Sequence, residues 1–441
     1  MVHCRTLIAA RFVIAAVAGA GLLAASGPDP VEVLRRAVAK VAATRKTLPN
    51  YTCVQTVTRH YFRPAAATLS RACSVVIEER RQPTLDMVLR PQYTDRLRLD
   101  VAMIEHREIF SWVGASKFSE GEIDSVVPEG PISTGGFGGF LLSVFSADIA
   151  DFHFVRSLVA DNGRGLMEYA YRVPAAESHY KLKLQRGNLW FYTAYHGTFQ
   201  VDPATDDVVR LEVDTDELPI ATGSCVTLSS IDYATVRIGD SRFMLPSLMR
   251  QRWVDPWGNE VENKTVFNSC REYKGESTVT FFPEEGADAA GSPNRPQAPA
   301  LPVPPDLSFA FTLTTPIAVD TAAAGDTFRG KLTEPLRDSR HRVLAPKGAE
   351  VEGRLVEVAA FYRPPRAIIA LRPARIAIHG ALVALTAERD WRRERTEHRR
   401  MPILLPPPGE ERTGVFEFKG EHVLVRAGFR SEWRTLPVAE R

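Results

Sequence analysis

HGTFQVDPATDDVVRLEVDTD, residues 196–216, decides the fold. Two β-rich runs flank Asp202-Pro203-Ala204-Thr205-Asp206-Asp207, where proline presets φ and the aspartates can accept backbone amides, so the stretch predicts a hairpin. CVTLSSIDYATVRIG (225–239), SRFMLPSLMRQRWV (241–254) and NEVENKTVFNSCREY (259–273) follow. Gly239-Asp240 and Asp255-Pro256-Trp257-Gly258 punctuate them. Turn chemistry between β-branched and aromatic runs predicts an antiparallel meander reaching Phe282.

Upstream, Asp29 and Pro30 mark a helix start, and Val31, Leu34, Val38 and Val41 recur at helical spacing until Leu48-Pro49. Short β runs are predicted at Tyr51–Phe62, Cys73–Glu79, Thr84–Leu89, Arg96–Ile104 and Glu108–Val113. In LRLDVAMI (97–104), Leu97, Leu99, Val101 and Met103 share one face, as a sheet with one solvated side requires. At Ser133-Thr134 the period changes, and Phe137, Phe140, Leu141, Val144 and Phe145 recur as on a helix. That internal helix reads in two ways: a lid or plug over an apolar cavity, started by glycines 135, 136, 138 and 139, or a helix fixed against the concave face of the sheet. Strands resume at Phe152–Val159, Leu166–Val173, Tyr180–Gln185 and Trp190–Val201.

Downstream, PEEGADAAGSPNRPQAPALPVPPD (283–306) is a Pro/Ala-rich linker by composition. From 307 to 441 the chain is β-rich again, as in FAFTLTTPI, TFRGKLTEPL, AEVEGRLVEV, RAIIALRPARIAI and GVFEFKGEHVLVRAG. The expected organisation is a signal peptide at 1–26, a β domain at 29–282, the linker, and a small C-terminal β domain. The fold class is mainly β: a large antiparallel curved sheet or incomplete β-barrel with an N-terminal helix and one internal helix, followed by a small β-barrel or sandwich.

The signal peptide rests on Arg5 and Arg11 beside TLIAARFVIAAVAGAGLLAAS (6–26), ended by Gly27-Pro28-Asp29-Pro30. Ala24 and Ser26 suit cleavage, and the run after Arg11 is short for a membrane span; an uncleaved anchor is the alternative. Leu23-Ala24-Ala25-Ser26 has serine where a lipobox needs cysteine, so lipidation is not expected, nor is a transmembrane span after cleavage. The expected location is the periplasm or the extracellular space. With 55 basic against 53 acidic residues the net charge is +2, too balanced for nucleic-acid binding. The arginine-dense DWRRERTEHRR (390–400) is interspersed with glutamates, as in a solvated loop.

After signal cleavage four cysteines remain: Cys53, Cys73, Cys225 and Cys270. An even set in an exported chain points to disulfides. Cys225 begins the first meander strand and Cys270 ends the third, so about ten residues of strand, roughly 30 Å, separate them and exclude that pair. Cys270 then pairs with Cys53 or Cys73, while a Cys53 to Cys73 bridge leaves two free thiols.

TCVQT (52–56), HGTFQVDPATDDVVRLEV (196–213), YATVRIGDSRFMLP (233–246) and NSCREYKGEST (268–278) together resemble an uncharacterised family of secreted bacterial proteins, over most of residues 30–282. In that family the cysteines matching Cys53 and Cys270 recur, so the resemblance implies that bridge. The strand, Asp-Pro turn, strand unit is also similar to that of the lipoprotein carriers, whose incomplete β-barrel wraps helices and holds acyl chains without catalytic residues. GDTFRGKLTEPL and LAPKGAEVEGRLVEV are similar to a strand pair in the outer-membrane-complex barrel of conjugation and type IV secretion proteins, which implies a β-module for envelope assembly.

No HExxH, paired CxxC, GxSxG, Walker or Rossmann glycine pattern occurs, so no catalytic residue, metal ligand or cofactor is assigned. Gly239-Asp240-Ser241 lies between strands, whereas a hydrolase nucleophile sits on a turn into a helix. His153, His179 and His196 are too widely spaced for a metal site, and Asp202, Asp206 and Asp207 suit a turn better than calcium. Trp190, Phe191, Tyr192 and Tyr195 form an aromatic cluster. The apolar-ligand or plug candidates are therefore Phe137, Phe140, Leu141, Val144, Phe145, Trp190 and Tyr192. Three functions follow: a carrier or sensor of a lipid, lipoprotein or other apolar ligand; an envelope interaction protein whose strand edges dock another cell-envelope protein; and an exported hydrolase with an unfamiliar site.

Overall fold

In the structure, a computed structural model that describes residues 27–66, 69–81, 88–119, 121–127, 129–146, 151–184, 189–273, 303–390 and 412–437, the chain runs α1 (Pro30–Thr47), β1 (Tyr51–Pro64), α2 (Cys73–Arg81), β2 (Leu89–Ile104), β3 (Arg107–Trp112), α3 (Gly139–Val144), β4 (Asp151–Val159), β5 (Gly165–Val173), β6 (Lys181–Lys183), β7 (Trp190–Tyr192), β8 (Tyr195–Asp202), β9 (Asp207–Thr215), β10 (Val226–Ile238), β11 (Ser241–Val254) and β12 (Glu260–Glu272). Every turn predicted in the meander is present. The strands pair antiparallel in the order β4-β5-β8-β9-β10-β11-β12-β1-β2-β3, with β6 and β7 as a separate hairpin. The expected signal peptide, the arginine-dense run beyond Asp390 and the expected linker up to residue 302 lie outside the described residues.

One face of this sheet is the apolar one that the alternation of β2 predicts: Leu97, Leu99, Val101 and Met103 are all buried. They share a core with Tyr51, Tyr169, Phe199, Leu211, Ile231 and Phe267 from other strands. α1 crosses that face, capped by Asp29, whose side chain accepts the Val31 N–H, with Val33 and Ala37 fully buried. The β8–β9 turn holds it there. Asp206, at φ 61°, ion-pairs with Arg36 at 3.0 Å, and Asp207 meets Lys40 at 2.6 Å.

Three local expectations change. Cys73–Glu79, read as a strand from Val75-Val76-Ile77, is the helix α2. Cys73, Val76 and Ile77 fall at i, i+3 and i+4 and pack on Cys225, Val226 and Val254, so tertiary burial overrides the β-branched propensity. The internal helix covers only Gly139–Val144, because the glycines before it form a turn: Gly135 has φ 94°, and a side chain there would press on the Phe140 ring 3.0 Å away. The Trp190–Val201 run breaks at Thr193-Ala194, where Thr193 N–H donates to Tyr180 O. The predicted Thr84–Leu89 run falls outside the described residues as far as Met87, and Leu89 opens β2.

Beyond residue 303, β13 (Ser308–Leu313), β14 (Ile317–Ala318), β15 (Thr327–Leu332), β16 (Leu336–Arg337), β17 (Val343–Ala345), β18 (Glu350–Tyr362), β19 (Pro365–Ile378), β20 (Ala381–Ala384), β21 (Ala387–Arg389), β22 (Gly414–Lys419), β23 (Leu424–Val425) and β24 (Arg430–Thr435) surround a second core of Phe309, Phe311, Phe328, Ile369, Phe416 and Trp433. Pairing runs β22-β19-β18-β15-β13-β24-β21 and does not close among the described residues. This body joins the first through β2. Asp95, Thr94 and Tyr93 pair with Ala359, Ala360 and Phe361, continuing the antiparallel sheet to 18 strands. Arg98 bridges to Asp326, and its backbone N–H donates to Ala324 O at 2.7 Å. Gly325, at φ 104°, has no room for a side chain, since a Cβ would lie 2.2 Å from Arg98 O.

Candidate functional site

A cavity of about 330 Å³ lies between the C-terminal half of α1 and the apolar face of the sheet. Its volume is at the lower end of the roughly 300–1,000 Å³ of small-molecule sites. Val41 and Leu48 form the helical side, Met103 comes from the end of β2, and Val208 from β9. Tyr233, Met244, Leu245 and Pro246 supply the β10–β11 wall, and Phe137, Leu141 and Leu142 close the remaining side. The β10–β11 wall has a structural reason. Register shifts where Asp232 faces Leu248 and Tyr233 faces Pro246, so Ser247 is an extra residue and the strand bulges there.

The segment before α3 is fixed by two side chains. Glu108 of β3 accepts the N–H groups of Gly135 at 2.7 Å and Gly139 at 3.0 Å. Burial pushes its carboxyl above the ordinary range, against the backbone donors at residues 135, 137, 138 and 139, which pull it down. The Tyr51 hydroxyl donates to Phe137 O at 3.2 Å, and Phe137 lies between the Tyr51 and Phe267 rings at 4.9 and 5.3 Å. The Tyr233 hydroxyl is buried without a hydrogen-bond partner among the described residues, and burial raises its pKa, as it does that of Tyr51. Such a group costs about 1–3 kcal/mol of folding stability.

The sequence candidates separate into three groups. Phe137 and Leu141 line the cavity. Phe140, Val144 and Phe145 are buried in the core, Phe140 against Tyr180 and Tyr195, and Phe145 against Phe152 and Phe199. Trp190 and Tyr192 are exposed on the β6–β7 hairpin, where Lys181 Nζ sits 4.4 Å from the Trp190 ring centre, and neither reaches the cavity. Of the residues not singled out beforehand, Met103, Tyr233, Met244 and Leu245 contribute most of the sheet wall. Pro246 inside a strand run is the one local signal, since proline within a sheet marks a bulge or an edge.

The four cysteines form Cys53–Cys270 and Cys73–Cys225. The first ties β1 to β12 two residues from Tyr51, and the second ties α2 to the start of β10. Two disulfides point to an oxidising compartment. Among the described residues no helix is long and apolar enough to cross a membrane, and no cluster of three His, Cys, Asp or Glu is placed to hold a metal. His153, His179 and His196 are exposed. Asp202 accepts the Ala204 N–H at 2.9 Å, as a turn aspartate does. Ser241 opens β11 after the Gly239-Asp240 turn, so it enters a strand.

No protein-family model matches the chain, and no curated protein matches it. Among solved structures, that of a LolA superfamily protein from Nitrosomonas europaea aligns with 54% of this chain and 93% of its own, at 9% sequence identity and a TM-score of 0.24. A likeness at that level carries no argument, and function is read from the cavity alone.

Proposed function

We propose that the chain is an exported binding protein that holds the apolar part of a lipid or lipoprotein in the cavity beneath α1, without reacting on it. The observation that carries this reading is the cavity wall. Aliphatic, methionine and aromatic side chains from α1, five strands and the segment before α3 converge on one space, and the few polar atoms at its floor are neutral or already engaged. Methionines 103 and 244 suit a site that adapts to a flexible chain, because an unbranched thioether fills irregular space. The disulfides suit an exported location.

The test is titration of the purified full chain with the apolar fluorophore N-phenyl-1-naphthylamine. One saturable site, emptied by a monoacylglycerol, is expected; absence of saturable binding overturns the reading. A second reading, docking of an envelope protein, is favoured by one observation. β4 pairs only with β5 among the described residues and exposes Phe154, Val155 and Val159. Crosslinking in cells that traps one stable partner through β4, together with no fluorophore binding, would put that reading first.

A further inference from the structure

We propose that the ligand of this cavity is a single-chain amphiphile with an anionic head, and that Arg45 and Lys46 receive that head at the mouth. The inference rests on the binding reading above and adds the chemistry of the ligand. It begins from which charges at the mouth are already spent. Asp206 is held by Arg36 at 3.0 Å. Asp207 is held by Lys40 at 2.6 Å, and Lys40 also donates to Thr205 O at 2.7 Å. Arg45 and Lys46, in the last turn of α1, line the cavity and have no ion-pair or hydrogen-bond partner among the described residues. The one acidic group left is Glu105, exposed at the β2–β3 corner, whose own backbone N–H is the atom engaged there, with Asn50 Oδ1 at 3.2 Å. Two free cations therefore face one free carboxylate.

The ordinary role of cations in a last helical turn is to offset the carbonyl end of the helix dipole, about half a negative charge. Both residues serve that role here, and with Asp206 neutralised by Arg36 from outside the cavity the mouth keeps an excess of about half a positive charge. Behind it the walls are apolar, from Met103, Phe137, Leu141, Leu142, Val208 and Leu245. The volume of about 330 Å³ is at the lower end of the roughly 300–1,000 Å³ of small-molecule sites. A space of that size suits one alkyl chain of moderate length better than two. A cationic mouth above an apolar, single-chain space selects a carboxylate or phosphate head on one alkyl chain. Because Arg45 and Lys46 are exposed, the selection is modest and salt-sensitive.

The experiment displaces N-phenyl-1-naphthylamine from the full chain with three probes of equal chain length: dodecanoate, 1-dodecanoylglycerol and dodecyltrimethylammonium. At low ionic strength dodecanoate is expected to bind about three- to tenfold more tightly than the glycerol ester, and the ammonium probe most weakly, with the spread collapsing near about 0.5 M salt. The double variant Arg45→Glu/Lys46→Glu should invert the order of the charged probes and leave the neutral ester unchanged. Arg45→Gln/Lys46→Gln should abolish the order without reversing charge at the helix end. Equal binding of all three probes by the unaltered chain, or an unchanged order in the charge-reversed one, overturns the inference while the cavity reading stands. If none of the three displaces the fluorophore, the cavity reading falls and takes this inference with it.

Discussion

Phe140 and Leu141 are adjacent and both apolar, yet the structure assigns them opposite duties, and a pair of aspartate substitutions separates these. Phe140 is 5% exposed, with its ring edge-on to Tyr180 at 5.1 Å. Phe140→Asp removes a buried phenyl, about 3–5 kcal/mol, and leaves an unpaired carboxylate in the core, several kcal/mol more. Together these approach the whole stability of a typical domain, about 5–15 kcal/mol, so Phe140→Asp should not fold. Leu141 lines the cavity and is half-buried. A carboxylate at 141 can turn toward the mouth and stay hydrated while the site is empty, so the folding cost should be about 1–2 kcal/mol. A bound chain would cover that charge. The binding penalty is about 3 kcal/mol, roughly a hundredfold in Kd. Thermal unfolding followed by circular dichroism reads the first effect, and fluorophore titration reads the second. A folded Leu141→Asp that binds with unaltered affinity refutes the reasoning, and so does a Phe140→Asp as stable as the unaltered chain.

Cys73→Ser/Cys225→Ser, which opens a cross-link spanning 152 residues, should cost about 2–5 kcal/mol in urea unfolding, the long loop placing it near the upper figure; a loss below about 1 kcal/mol would show that α2 is held by its side chains alone. Gly325→Val forces a Cβ to within 2.2 Å of Arg98 O, so hydrogen exchange at the Arg98 amide should accelerate strongly while amides of β8 and β9 keep their protection; uniform acceleration would contradict a local junction. Glu108 titrates higher in the folded chain than in the unfolded one, so the folded state takes up its proton first, and its contribution is greatest in acid and declines as pH rises from the ordinary glutamate range through the raised value. Glu108→Gln should flatten that part of the stability profile in a pH series of urea unfolding, and an unchanged slope would contradict the assignment.

Much of the sheet was legible because its turns carry explicit chemistry. Asp202-Pro203, Gly239-Asp240 and Asp255-Pro256 each fix a corner by φ preference or side-chain acceptance, independent of anything distant, and all three corners are where the sequence puts them. The helix α2 was not legible, since Val75-Val76-Ile77 has strand propensity and becomes helical through contact with Cys225 and Val254, about 150 residues and more away. The cavity was half legible. Helical spacing located Phe137 and Leu141, but the same spacing also collected Phe140, Val144 and Phe145, because periodicity reports a buried face without saying whether protein or ligand covers it. Tyr233, Met244 and Leu245 look like ordinary strand residues, and only the bulge opposite Tyr233 turns them into a wall. Trp190 and Tyr192 read as pocket aromatics from composition and are exposed, because a three-residue hairpin strand has no second layer to cover it.

The most direct measurement is mass spectrometry of an organic extract of the mature chain, secreted into a periplasm and purified without detergent, beside an extract of the folded Leu141→Asp variant prepared in the same way. The account predicts one class of single-chain acidic amphiphile near one equivalent per protein in the first extract and its depletion in the second. The same lipid in equal amount from both, or no lipid from either together with no uptake of added dodecanoate, would contradict it.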